Sequence, residues 1–571
     1  MKKIYILLGL VAAITTSCED FLNTDPIQKI SIEQYYTDEA GITNALGGVY
    51  DPLGSEKLYG SQLWWQLDSA TDEAYYARAA VTTGTMVYSF DPTAVNVTDY
   101  WTNLYDGINR ANDLIAHIDL PKMDEAKRQE ILGEALFLRG YYHFLLVSRF
   151  GDIPLRLTPT TSPNNITMAR TAAKDVYDQI LKDMTEAEAK VSATKPTYSS
   201  RVYKTVVQGV LARVCLQMAG YPLNNTSKYA DALSWSKKVI DSNQHSLNVS
   251  FQTVAPAGKP ANYYDVVNPT NGVTSNNAYR QVFINEASDT YNTNELMWEA
   301  DFKARGGGYN EGGRVGNNIG IMFQPAASNP LFGIYCWGFI KGTGKLFRAY
   351  DATGADLRRD WNLTTYTMNN ATAVKTNIAK TVQYGRDCGK WRREYEINLS
   401  GDQNYTAINF PILRYSDVLL MFAEAENQVN GPTAAAQEAV NKVRRRGYGR
   451  TDVSAAYALS DAATTTAAAS KPAFQQFIED ERMRELCFEG LRKMDLIRWN
   501  KFVTTMKATS DDMDASPLTN GPLIIAAPQR YGALAGKNVF ANGDKFLLFP
   551  IPSLEMASNT LITKENQNPG Y

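Results

Sequence analysis

Apolar residues recur every three to four positions over much of this chain, and the period predicts helices. They fall at about 32–50, 99–118, 124–150, 171–193, 201–219, 227–242, 415–429, 433–447, 472–489 and 491–502. Within 201–219, Val206, Val210, Val214 and Met218 mark one face; within 415–429, Val418, Phe422, Ala425 and Val429 do the same. Helix stops stand between the periodic runs at Gly151, Gly220-Tyr221-Pro222, Gly431-Pro432 and Gly490. Small residues such as Gly209, Ala212 and Ala423 sit where facing helices could approach closely.

The period is lost over 243–410. Gly, Asn, Tyr and Thr dominate there, short strands such as 295–302 are expected, and long loops make up the rest. Ordered loops of this length in a compact protein usually carry function. Residues 505–545 read as a second irregular insertion.

The first residues follow another logic. Lys2 and Lys3 precede the apolar run Ile4–Ile14, then come Thr15, Thr16, Ser17 and Cys18. That is an export signal; a bilayer-spanning helix needs about 20 apolar residues. A cysteine directly after small residues resembles the lipobox of bacterial lipoproteins, although Thr15 stands where a leucine is usual. The resemblance implies removal of 1–17 and lipid attachment at Cys18, with 18–31 as a tether.

Composition narrows the function. The 571 residues carry a net charge of −3 and are 44% hydrophobic. No basic stripe exists, which argues against nucleic acid as a partner. His117, His143 and His245 share no metal-ligand spacing. Cys215, Cys336, Cys388 and Cys487 form no CxxC, and Cys215 and Cys487 are expected as buried free thiols on helices. GGGYNEGG at 306–313 and GTGKL at 342–346 lack the spacing of phosphate-binding loops and read as flexible turns near a ligand surface. DDMD at 511–514 lacks the calcium-loop pattern and reads as solvated loop, leaving calcium a weak option; no other cofactor is expected.

Four segments carry a family resemblance: RQEILGEALFLRGYYHFLLVSRFGDIPL (128–155), ILRYSDVLLMFAEAENQVNG (412–431) followed by AVNKVRRRGYGR (439–450), ERMRELCFEGLRKMDLIRWNKF (481–502), and FLLFPIPSLEMASNTLITKENQNPGY (546–571). Together with the lipoprotein start they resemble the SusD/RagB family of Bacteroidetes surface lipoproteins. The resemblance implies a mainly α fold: four tetratricopeptide-like helix pairs supporting a loop-rich second half with short strands. One SusD-like domain would then cover 32–571, with its helical scaffold at about 32–242 and 411–502 and loop-rich regions at 243–410 and 503–571.

What the family implies about function is a non-catalytic protein on the outer face of the outer membrane. It captures an oligosaccharide and acts as the lid of a SusC-like TonB-dependent transporter; oligopeptide-binding members are the alternative. An enzyme using paired carboxylates and a purely structural helical-repeat protein are the remaining readings. The charged residues of 481–502 read as scaffold, with Arg482–Glu485 and Glu489–Arg492 spaced as i,i+3 pairs and others bridging between helices. Glu134, Arg139, Arg414 and Glu424 are read the same way.

Sugars stack their apolar faces on aromatic rings and meet Asp, Asn, Gln and Arg through their hydroxyls. Two stretches have that composition. In 64–78 the candidates are Asp72, Tyr75, Tyr76 and Arg78, with Trp64 and Trp65 assigned to the core. In 305–337 they are Tyr309, Asn310, Tyr335 and Trp337. The resemblance implies aromatic walls from both places, with tyrosines here where starch-binding relatives carry tryptophans.

Overall fold

The computed structural model describes residues 35–77, 81–162, 166–252, 277–303, 312–329, 331–397, 403–516 and 531–571. Cys18, Arg78, Tyr309 and Asn310 lie outside the described residues, as does most of 306–313.

The first half is a run of helices: α1 Glu39–Gly54, α2 Val95–His117, α3 Glu125–Phe150, α4 Ala173–Lys190, α5 Lys204–Ala219 and α6 Lys228–Asp241. Each packs on the one before it. Local chemistry sets the ends. Asp38 and Asp124 accept hydrogen bonds from the backbone N–H of Gly41 and Lys127, capping α1 and α3. In α5 the face of Val206, Val210, Val214 and Met218 is buried. So is nearly all of its remaining surface, the mark of a helix enclosed by neighbours.

The middle of the chain holds α7 Ala278–Ala287 and the short helices α8 Gly344–Ala349 and α9 Arg358–Asn362, and short strands occur there and, for β1, between α1 and α2 among the described residues. The strands are β1 Ala74–Tyr76, β2 Leu296–Ala300, β3 Ile340–Gly342, β4 Tyr366–Met368, β5 Lys375–Asn377 and β6 Phe410–Arg414. They pair antiparallel as β1 with β3, β2 with β6 and β4 with β5. On β2, Trp298 is fully buried and meets Phe137 and Tyr141 of α3 edge-on, at 5.3 and 4.8 Å between ring centres. Burying a side chain of that size stabilises by about 3 kcal/mol, so β2 fastens the loop-rich half to the helices.

The helical array then resumes with α10 Tyr415–Asn430, α11 Ala434–Gly447, α12 Ala458–Ala467, α13 Lys471–Leu486 and α14 Arg492–Arg498. Helix α10 packs against α6, continuing the first half's stack. Val418 and Ala425 are buried and Phe422 is half-buried, but Val429, at the end of α10, is 45% exposed. Helices α15 Phe502–Ala515 and α16 Tyr531–Asn542 pack on each other, and α17 Ser553–Ser558 follows.

The pair α15–α16 corrects the irregular reading of 505–545 at both ends of that stretch; residues 517–530 lie outside the described residues. Phe502, Met506 and Met513 of α15 are buried at helical spacing, but few strong apolar residues separate them. Helix α16 packs through small residues instead: a Cβ on Gly536 would lie 2.3 Å from the Met506 carbonyl oxygen. DDMD is therefore not a solvated loop. Asp511, Asp512 and Asp514 lie on α15 and pair with Lys507, Arg348 and Lys537. GTGKL is not a flexible turn either: Thr343 caps α8 by accepting from Leu346 N–H, and Lys345 pairs with Asp72.

A buried layer of charge joins the segments. The Arg414 guanidinium reaches Glu295, Glu485 and Glu489 at 2.7–3.0 Å. Arg446 binds Glu295 and Glu485, Arg358 binds Asp356, Glu481 and Glu485, and Lys390 binds Glu489. The i,i+3 pairs expected at Arg482–Glu485 and Glu489–Arg492 do not form. Arg482 bridges Asp417 and Asp495 instead, and Arg492 binds Asp72. Helix α13 ends at Leu486, and Gly490 takes a φ of +70°, so Glu489 and Arg492 do not share one helix face. Cys215, Cys336, Cys388 and Cys487 are free and buried. No helix among the described residues is long and apolar enough to cross a membrane.

Candidate ligand-binding surface

The two aromatic stretches come together at one place. Strand β1 pairs with β3, Tyr75 opposite Lys341 and Tyr76 opposite Ile340, and the pairing extends to Ala77 N–H donating to the Phe339 carbonyl at 2.9 Å. Just before β3 the chain runs Tyr335-Cys336-Trp337-Gly338-Phe339. Gly338, between Trp337 and Phe339, takes a φ of +59°, so the segment is not a regular strand. Here Cys336 and Gly338 are buried, while Trp337 and Phe339 are half-exposed.

Trp65 completes the cluster. It sits on a π-helical turn, Leu63–Leu67, a distortion often found at functional sites. Its indole lies 4.5 Å from the Phe339 ring at 11° between planes, and Phe339 lies 6.1 Å from Trp337, again at 11°. Tyr76 supports Phe339 at 6.0 Å, and Tyr335 meets Trp337 edge-on at 4.8 Å. The result is a row of near-parallel, offset rings, three of them half-exposed.

Backbone bonds hold the row in place. Trp337 and Phe339 N–H groups donate to the carbonyls of Asn317 and Asn318, at 2.7 and 2.9 Å. Asn317 Nδ2 donates to the carbonyls of Tyr335 and Gln403. Polar groups stand at the rim: Asn404 Oδ1 is 3.4 Å from Trp337 Nε1, and Gln324 reaches the Trp337 carbonyl. Arg314 pairs with Glu56 at 2.9 Å and covers the Tyr405 ring. Trp65 and Phe339, near parallel at 4.5 Å, cover part of each other's faces, and the half-exposed remainder of the row, with a few fixed polar groups beside it, is an apolar patch of the kind a sugar ring packs on.

The structure sorts the expected residues. Tyr76, Tyr335 and Trp337 belong to the row. Tyr75 lies beneath it, 1% exposed against Met513 and Ala533, its hydroxyl accepting from Gly385 N–H. Asp72 is fully buried between Arg492 and Lys345. Burial pushes its carboxyl up, but those two cations outweigh burial and hold it well below the usual range. Asp72 and Tyr75 therefore sit under the surface rather than on it. Trp64 is in the core as expected, but Trp65, expected there too, is in the row. Phe339 was not singled out by composition, and Gly338, at a φ of +59°, breaks the strand period that could have marked it.

Residues 224–571 match a family model described as the SusD family. The chain belongs to the SusD family. Its members are non-catalytic binding proteins. Residues 20–216 match a second model, described as starch-binding associating with outer membrane. Among relatives, the SusD-like protein P25 of Formosa agariphila is 25% identical, covering 85% of this chain and 87% of its own. A SusD homolog from Bacteroides thetaiotaomicron superposes with a TM-score of 0.76 at 24% identity, covering 95% of this SusD-like chain and 98% of its own. A laminarin-binding SusD-like protein gives 0.64 at 20% identity, with 94% and 100% covered. These likenesses bear out the mainly helical SusD-like fold with a few two-stranded sheets.

Proposed function

We propose that this SusD-family chain is a lipid-anchored cell-surface protein that captures oligosaccharides without covalent chemistry and passes them, as a lid, to a TonB-dependent transporter in the outer membrane. The single observation that carries the capture step is the row of Trp65, Phe339 and Trp337. Offset rings with polar neighbours such as Asn404 and Gln324 suit stacked sugars, each ring adding a modest contribution. Recognition spread over several weak contacts favours oligosaccharides over monosaccharides. Support for a glycan also comes from relatives, one described as laminarin-binding.

A glycan array read beside a peptide library tests this. The expected result is binding to oligosaccharides, little to monosaccharides and none to peptides. Binding to peptides alone would replace the glycan with the family's peptide alternative. For the lid, affinity purification from outer membranes should retain a β-barrel transporter; recovery of the chain alone would refute it.

A further inference from the structure

A cavity of about 50 Å³ lies within the helical scaffold, and α3, α5, α13 and α14 each contribute an arginine to its wall: Arg149, Arg213, Arg482 and Arg498. One water needs roughly 10–15 Å³, so the cavity has room for a small ion and its last waters. Leu63, which opens the π-helical turn carrying Trp65, is also in its wall.

The cations here share too few carboxylates. Asp417 accepts from Arg213 Nη2 on one oxygen and from Arg482 Nη1 on the other, both at 2.7 Å. Asp495 is divided in the same way between Arg482 and Arg498, and Glu424 takes the remaining two nitrogens of Arg498. Arg149 binds Asp68, which also stands 3.8 Å from the buried Lys493 ammonium. Burial lowers Lys493 to about 8 although Asp68 raises it, so it is still charged at neutral pH. Among the described residues, five cations thus share four carboxylates. Glu489 lines the cavity as well, but Lys390 and Arg414 hold both its oxygens. Donors are left over on the same side. Arg213 Nε is buried without an acceptor among the described residues, and Arg482 spends only Nε and Nη1 on carboxylates. A buried donor with no acceptor is costly.

We propose that this cavity binds one small monovalent anion, such as chloride, between the guanidinium groups of Arg213 and Arg482. A single negative charge closes the balance of the cluster, and the anion accepts the N–H groups that its carboxylates leave over. Bound there, it ties the four helices together beside the turn that carries Trp65. The site is internal and takes no part in stacking, so it stands independently of the glycan reading.

Thermal melts of the full chain test this, run at about pH 7 with chloride raised from about 1 to about 100 mM and gluconate holding the ionic strength constant, because a ligand bound only by the folded state raises Tm. The expected rise is about 1 °C for each tenfold in chloride above the dissociation constant, and Arg213→Gln should lose it. Crystals of the full chain grown in bromide give a reading that needs no variant: an anomalous peak in the cavity beside Arg213 Nε is expected. If Arg213→Gln does not fold, the native melts and the bromide peak decide. A flat response to chloride, a response kept in folded Arg213→Gln, or bromide found on the outer surface alone, an adventitious ion only, overturns the site.

Discussion

The indole of Trp65 and the ring of Phe339 lie 4.5 Å apart and 11° from parallel, although one belongs to the first helical segment and the other to the loop-rich middle. The contact depends on the β1–β3 pairing and on the π-helical turn that carries Trp65. It is therefore a joint between the scaffold and the candidate binding surface. A distorted helix turn and a three-residue strand give it position without a large sheet.

The buried charge layer should behave as a unit. Glu485 faces Arg358, Arg414 and Arg446, all fully buried. Glu485→Ala leaves three guanidinium groups short of a partner and should cost roughly 3–5 kcal/mol, read as a drop in chemical-denaturation stability. A loss below about 1 kcal/mol, the scale of surface pairs, would show that the layer is not holding the segments together.

Stability should fall on both sides of mildly acidic pH. Burial raises Glu73 and Glu299 from 4.5 to about 8. The folded chain holds those protons more tightly than the unfolded one, so this contribution is full below 4.5 and is lost as pH rises through about 8. Asp417 shifts the other way. Burial opposes ionisation, but Arg482 and Arg213 outweigh it and lower the carboxyl from 3.8 to about 2, so its contribution is lost as pH falls through that range. Denaturation midpoints at about pH 5 and about pH 9 should therefore differ less in Glu299→Gln than in the native chain. An unchanged difference would remove Glu299 as a source.

The α15–α16 contact predicts its own test. A Cβ on Gly536 would meet the Met506 carbonyl at 2.3 Å and Ser510 Cβ at 2.7 Å. Gly536→Ala should push the helices apart and cost roughly 1–3 kcal/mol, even though alanine is the better helix former. A stabilised variant would contradict this packing.

The proposed lipid anchor at Cys18 should be separable from the candidate binding surface. Cys18→Ala should release the chain from membrane fractions and leave oligosaccharide affinity in solution unchanged. A fall in affinity would show that the two are coupled.

The helical scaffold was legible because strong apolar periods and glycine stops repeat along it. Predicted 124–150 and observed Glu125–Phe150, or predicted 433–447 and observed Ala434–Gly447, differ by a residue. Helix α16 was hidden because Gly and Ala, rather than Leu or Ile, form its contact face. The charge pairs of 481–502 were recognised as scaffold, but their partners Arg358, Arg446 and Asp72 come from distant segments that no local spacing reveals. The aromatic stretches were legible by composition. Which rings reach the surface was not, since Trp65 and Tyr75 change places only once β1 pairs with β3.

The central claim is that the row of rings binds sugar. The direct measurement is calorimetric titration of the tightest array oligosaccharide into the native chain, Trp337→Ala and Phe339→Ala, each checked for an unchanged melting profile. Loss of a stacking ring should weaken binding by about tenfold in each variant. Native affinity in both folded variants would contradict the account.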